Sequence, residues 1–245
     1  MTRLARYTQW AAGAAAMLVA LPLSAQQRPG GAQDSRPGIA VLDFEIGATI
    51  GQEAEEYDAL RRGLASLTLS ELTANPAIRV VERAQLQQLL QEQNLGREGR
   101  VDPQTLVRIG RLIGARYMVT GTIYDVRGDF RINSRIFDTE TSEIVRTQSV
   151  RGRLENVFDL ASQLAQQLMR DANLPPLERR AMEEHRERNP APPQTAVMAY
   201  SRAVLYADRG DSQRAVEQYR RAVQIFPQYT QARAECNRLQ AGACT

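Results

Sequence analysis

Between residues 117 and 151 the hydrophobic period changes from 3.6 to 2, and that switch limits the fold more than any other feature. Residues 117–126, 129–138 and 143–151 read as three consecutive strands. Arg127-Gly128 supplies a tight turn between the first pair, and Thr139-Glu140-Thr141-Ser142 joins the second. Phe130, Ile132 and Ile136 alternate with Arg131, Asn133 and Arg135, so one face of this meander packs and the other is polar.

Helical signals surround the meander. Ile39 to Phe44 is a short apolar run of the kind buried in a sheet, and residues 54–74 place Leu60, Leu64 and Leu67 on one helical stripe. Residues 78–81 predict a second short strand, and residues 83–95 a helix with Leu86, Leu89 and Leu90 inward. Asp102-Pro103 is a helix start, a capping carboxylate followed by proline at the first helical position. Gly110 and Gly114 are expected to let that helix lie close to a neighbour. After the meander, Asn156 is expected to cap a helix burying Val157, Leu160, Ala161, Leu164 and Leu168. The sequence thus predicts an α/β (α+β) fold, a mixed sheet with an antiparallel meander and packed helices. Its order is β-α-β-α-α-β-β-β-α, with a C-terminal αα-hairpin.

The ends are organised differently. Arg3 and Arg6 precede an apolar stretch from Ala11 to Leu23, and Leu23-Ser24-Ala25 forms a small-residue cleavage site. Residues 1–25 therefore read as a signal peptide rather than a kept anchor, with residues 26–37 a flexible lead-in. The domain is expected at 38–172, a proline-rich linker with a short charged helix at 173–195, and the hairpin at 196–240. The net charge of +3 loses Arg3 and Arg6 with the signal, which leaves no basic stripe to bind phosphates, so nucleic acid is not an expected partner. No integral membrane segment is expected after signal removal. Cys236 and Cys244, in an exported chain, are expected to form a local disulfide.

Residues 196–228 resemble the roughly 34-residue tetratricopeptide pattern, through Ala203, Tyr206, Gly210, Ala215, Tyr219, Ala222 and Pro227. One such repeat does not bury its own face, so something must cover it. The first helix of a repeat lines the concave side, which makes Val197, Tyr200, Ser201, Val204 and Asp208 the candidate partner contacts. Packing on the parent domain is the equal alternative.

Chemistry is sparse. No nucleophile motif, metal-ligand spacing or phosphate loop occurs, so no catalytic residue, metal or cofactor is expected. Asp43 and Glu45 form the best acidic pair, Asp125 and Asp138 read as turn residues, and the single histidine, His185, reads as part of a solvated helical face.

Gly38 to Phe44, Arg79-Val80-Val81-Glu82-Arg83, Val101 to Gln104, Ile109 to Gly121 and Arg135 to Val145 together resemble the curli-production assembly/transport (CsgG-like) family. The resemblance covers about residues 38–170. It implies a periplasmic domain acting near the outer membrane, with protein partners in the envelope and self-association in some members. Pore-forming members insert two membrane hairpins, roughly 40 residues; the connections here are far shorter, and the lipid-anchor cysteine is absent. The resemblance thus implies a non-enzymatic assembly adaptor. Two alternatives accompany it: an accessory subunit of a secretion channel, and a ligand- or peptidoglycan-binding domain using a crevice beside Asp43 and Glu45.

Overall fold

The strand β4 (Tyr117–Val126) organises the sheet because it is long enough to serve two partners on one edge. In the computed structural model, which describes residues 34–50, 54–92, 102–175 and 178–244, β1 (Gly38–Val41) pairs in parallel with its first half, Ile39 opposite Tyr117. β2 (Glu45–Ile50) pairs in parallel with its second half, Glu45 opposite Thr122. Between them the chain bends: the Leu42 amide still bonds Val119, while the Phe44 amide turns to the carbonyl of Arg61. The bend drops Phe44 into the core and leaves Asp43 pointing off the strand end. The signal-peptide segment falls in residues 1–33, outside the described residues.

On its other edge β4 pairs antiparallel with β5 (Asp129–Asp138), Tyr117 opposite Asp138 through Val126 opposite Asp129. Arg127 and Gly128 take φ of 57° and 84°, the two positive values that a two-residue hairpin turn needs. β6 (Glu143–Gly152) completes the meander, with a bulge opposite Ile136 and Phe137. The short β3 (Arg79–Val80) closes the far side, giving the order β3-β1-β4-β5-β6.

The two sheet faces are covered unequally. On one lie α1 (Ala54–Leu72) and α4 (Val157–Asp171), whose apolar stripes bury Ile39, Val119, Ile123, Phe130, Ile132 and Ile136. On the other lie α2 (Arg83–Glu92) and α3 (Pro103–Leu112), with a smaller core around Ala40, Leu42, Met118 and Phe137. Asp102 caps α3 as expected, accepting from the Thr105 amide at 3.0 Å. Gly110 has the expected close-packing role, since a Cβ there would sit 2.4 Å from Thr139 Cγ2. Gly114 does not: it lies beyond the end of α3 with φ +66°, so its requirement is the left-handed turn that starts β4. Asn156 also differs from expectation, making no side-chain cap; α4 is entered through a 3-10 turn at Leu154–Asn156.

Four helices follow: α5 (Arg179–Arg188), α6 (Gln194–Asp208), α7 (Ser212–Ile225) and α8 (Thr230–Leu239). α6 and α7 form the antiparallel hairpin expected of the sequence. Strand β2 and helix α8 were not expected. β2 is glycine-containing and gains its ladder only because β1 leaves half of β4 unpaired. α8 is mostly polar and buries only Ala232 and Cys236, and a Cys236–Cys244 disulfide closes the chain over it. No helix among the described residues is long and apolar enough to cross a membrane.

Residues 35–245 form one compact unit, and α6 lies directly against α1. The crossing point is Gly63. A Cβ on it would stand 1.8 Å from Ser201 Oγ and 2.9 Å from Ser201 Cα, so two backbones meet there with no side chain between them. Alanine improves helix propensity by up to about 1 kcal/mol over glycine, but overpacking at such a contact costs about 1–3 kcal/mol. Gly63→Ala is therefore expected to lower the urea midpoint, with partial recovery on adding Ser201→Gly.

Candidate interaction site at the hairpin junction

The bend after β1 aims Asp43 at the start of α2, where Arg83 is the first helical residue. The Arg83 guanidinium meets Asp43 through Nε (3.0 Å) and Nη2 (2.8 Å and 3.0 Å). Its other edge reaches the last residue of α6, with Nη1 at 2.7 Å and Nη2 at 2.6 Å from the two Asp208 oxygens. One planar cation thus holds two carboxylates bidentately, the geometry that distinguishes arginine from lysine. Burial by itself opposes the charge on Arg83, but Asp43 and Asp208 outweigh it and push its pKa further up.

Around this clamp the charges alternate. Arg62 lies 3.2 Å from Asp208 and 3.9 Å from Asp43 and also bonds Asp58. Arg61 pairs with Asp58 at 2.8 Å, and Arg209 reaches Asp58 at 3.2 Å and Glu55 at 3.4 Å. Desolvation works against the Asp58 carboxylate, yet hydrogen bonds from Arg61 and Arg62 bring its pKa below the usual value. The network ties four sequence-distant segments together: the end of β1, α1, the start of α2 and the end of α6. Arg202 adds a further α6–α1 pair, 2.6 Å from Glu56.

Beneath the charges is an aromatic cluster. Tyr200 packs on Tyr219 and Tyr229, ring centroids 5.7 Å and 5.2 Å apart. Burial raises the pKa of all three phenols above the normal range.

These positions bear on the five candidate contact residues. The structure brings Val197, Tyr200, Ser201, Val204 and Asp208 to one side of α6, and that side faces the chain's own core. Val197, Tyr200, Ser201 and Val204 are buried, and Asp208 is in the Arg83 clamp. Asp43, the strand-end acid, is in the same clamp, while Glu45 lies apart on the other face of the sheet, beside Thr122. Asp125 and Asp138 do serve turns, but as buried groups. Asp125 accepts from the Gly128 amide (2.9 Å) and the Tyr57 hydroxyl (2.9 Å), and Asp138 from the Glu140 amide (2.8 Å). His185 is not on a solvated face: its side chain is 15% exposed, with Nε2 3.5 Å from Glu71 Oε1. α5 docks against α1 and α4 through Met182 and His185, a contact that composition alone did not signal. Among the described residues no three His, Cys, Asp or Glu side chains are placed to hold a metal ion.

Fold and junction define a class: a mixed α/β domain built on a split parallel edge, with a helical hairpin locked onto its first helix. Within it, residues 19–128 match the model of the family described as curli production assembly/transport component CsgG. The match ends at the β4–β5 turn, short of the span drawn from the sequence motifs. No curated protein sequence matches the chain significantly. Among solved structures, the chain is similar to TolB from Acinetobacter baumannii (12% identity, TM-score 0.38), covering 57% of this chain but only 29% of that one. It is similar to the LpoB C-terminal domain from Escherichia coli (19% identity, TM-score 0.35; 47% of this chain and 82% of that one). It is also similar to the PelC dodecamer from Paraburkholderia phytofirmans (15% identity, TM-score 0.30; 56% of this chain and 87% of that one).

Proposed function

We propose that this chain is a non-enzymatic adaptor of the bacterial envelope, working in the periplasm beside the outer membrane and joining other proteins. The observation that carries the reading is the family match over residues 19–128, which covers the parallel half of the sheet and its helices. The junction supports it: a hairpin clamped by Arg83 and seated on Gly63 presents its outer surface in a fixed relation to the domain. In this reading the hairpin is a single tetratricopeptide-like repeat. Its first helix, through Val197, Tyr200, Ser201, Val204 and Asp208, is engaged by α1 in the resting chain. The second helix then offers the outward face, where Gln213, Glu217, Arg221 and Gln224 are exposed.

The test is affinity capture of envelope proteins by the full chain, run beside Glu217→Arg/Arg221→Glu. Partners enriched by the native chain and lost with the charge-reversed one, at unchanged melting temperature, are the expected result. Equal capture by both chains would remove the outward face from the reading. Light scattering on the same preparation addresses the rival role of channel subunit, for which a closed ring of many copies is the signature.

A further inference from the structure

The sheet face that α2 and α3 leave uncovered carries a groove of about 210 Å³. The strand register builds its floor in two rows. Thr120, Arg135 and Thr147 lie side by side across β4, β5 and β6, and Glu45, Thr122 and Asn133 lie side by side across β2, β4 and β5. Pro103 and Leu106 of α3 wall one end, and Tyr124 stands at the other. The Tyr124 ring lies directly on the backbone of β2, since a Cβ on Gly47 would be 2.4 Å from its Cε1. That contact fixes the ring while leaving it partly exposed.

The polar groups here differ from those at the hairpin junction, where nearly every charge is matched. Thr120, Thr122, Tyr124, Asn133, Arg135 and Thr147 make no side-chain hydrogen bond or ion pair to any described residue. Arg135 therefore offers a whole guanidinium fork, and the three threonines, the phenol and the amide offer mixed donors and acceptors. A fixed ring beside such groups suits a ligand with an apolar ring face and hydroxyl edges, and the fork suits a carboxylate.

We infer that this groove binds a short glycan segment carrying a carboxylate, with Arg135 on the acid, Tyr124 under the sugar ring and Thr122 and Asn133 on hydroxyls. Rival occupants fit less well. The central strands of the floor, β4 and β5, are paired on both edges, and the one-sided strands β2 and β6 lie at its margins, so an added peptide strand would bond beside the groove and not within it. Among the lining residues a polyanion would meet a single cation, Arg135, which is not a phosphate-tracking stripe. The inference does not depend on the adaptor reading, because the groove lies on the sheet face opposite α1 and away from the hairpin.

Titrating the full chain with trigalacturonate, maltotriose and a tri-aspartate peptide, followed by NMR shifts, tests it. Trigalacturonate should shift groove residues at millimolar concentration and bind about tenfold more tightly than maltotriose, the factor one charge-assisted contact supplies. Arg135→Gln should remove that advantage and Tyr124→Ala should weaken both sugars, each with an unchanged melting temperature. Absence of binding by trigalacturonate, an undiminished affinity in Arg135→Gln, or equal binding of the peptide would each overturn the assignment.

Discussion

Tyr200→Ala is expected to destabilise the whole chain by about 3–5 kcal/mol, the range for deleting a buried aromatic side chain. The ring is 2% exposed and touches two further tyrosines, so its removal opens a cavity shared by α6, α7 and the loop before α8. Because that cluster is continuous with the core under β4 and β5, the loss should appear as one shifted cooperative transition in urea, followed by far-UV dichroism. Tyr200→Phe keeps the ring and should cost much less, which separates packing from the hydroxyl. An unchanged midpoint in Tyr200→Ala would mean that the ring is not packed between Tyr219 and Tyr229.

How much of this was legible in the sequence depends on how local each signal is. The β4–β5–β6 meander could be read because strand period, turn residues and ladder all lie within one short stretch. Asp102-Pro103 could be read because a cap involves residues three apart. The hairpin could be read from its small residues, but its orientation could not. What seats it is Gly63, a glycine inside an otherwise ordinary amphipathic helix, whose meaning appears only when Ser201 arrives against it. Arg83 and Asp208 are separated by 125 positions, and nothing in either neighbourhood announces the other. Asp43 looked like a strand-end acid because its partner is supplied by a bend that periodicity does not encode. The groove was half legible: Glu45 was singled out, but its neighbours are set by cross-strand register, which assigns Thr122 and Asn133 rather than Asp43.

Arg83→Met should be the most destabilising change among the charged residues, by about 3 kcal/mol. Breaking a buried pair by removing one partner costs roughly 3–5 kcal/mol, chiefly because the remaining charge is left desolvated. Here two are left. The side chains of Asp43 and Asp208 are 14% and 22% exposed, and both had bonded the same Arg83 nitrogen, so their mutual repulsion adds to the loss. Arg61 and Arg62 stay nearby and the rim is partly wet, which places the value at the low end of the range. If the clamp matters as a charge balance, adding Asp43→Asn and Asp208→Asn to Arg83→Met should recover most of the lost stability, since uncharged replacements of a whole buried cluster are often neutral. Hydrogen exchange gives the result its location: in Arg83→Met the amides of α6 should lose protection while those of β4 and β5 keep theirs. A uniform loss across the chain would mean that the clamp supports the domain as a whole and does not specifically hold the hairpin.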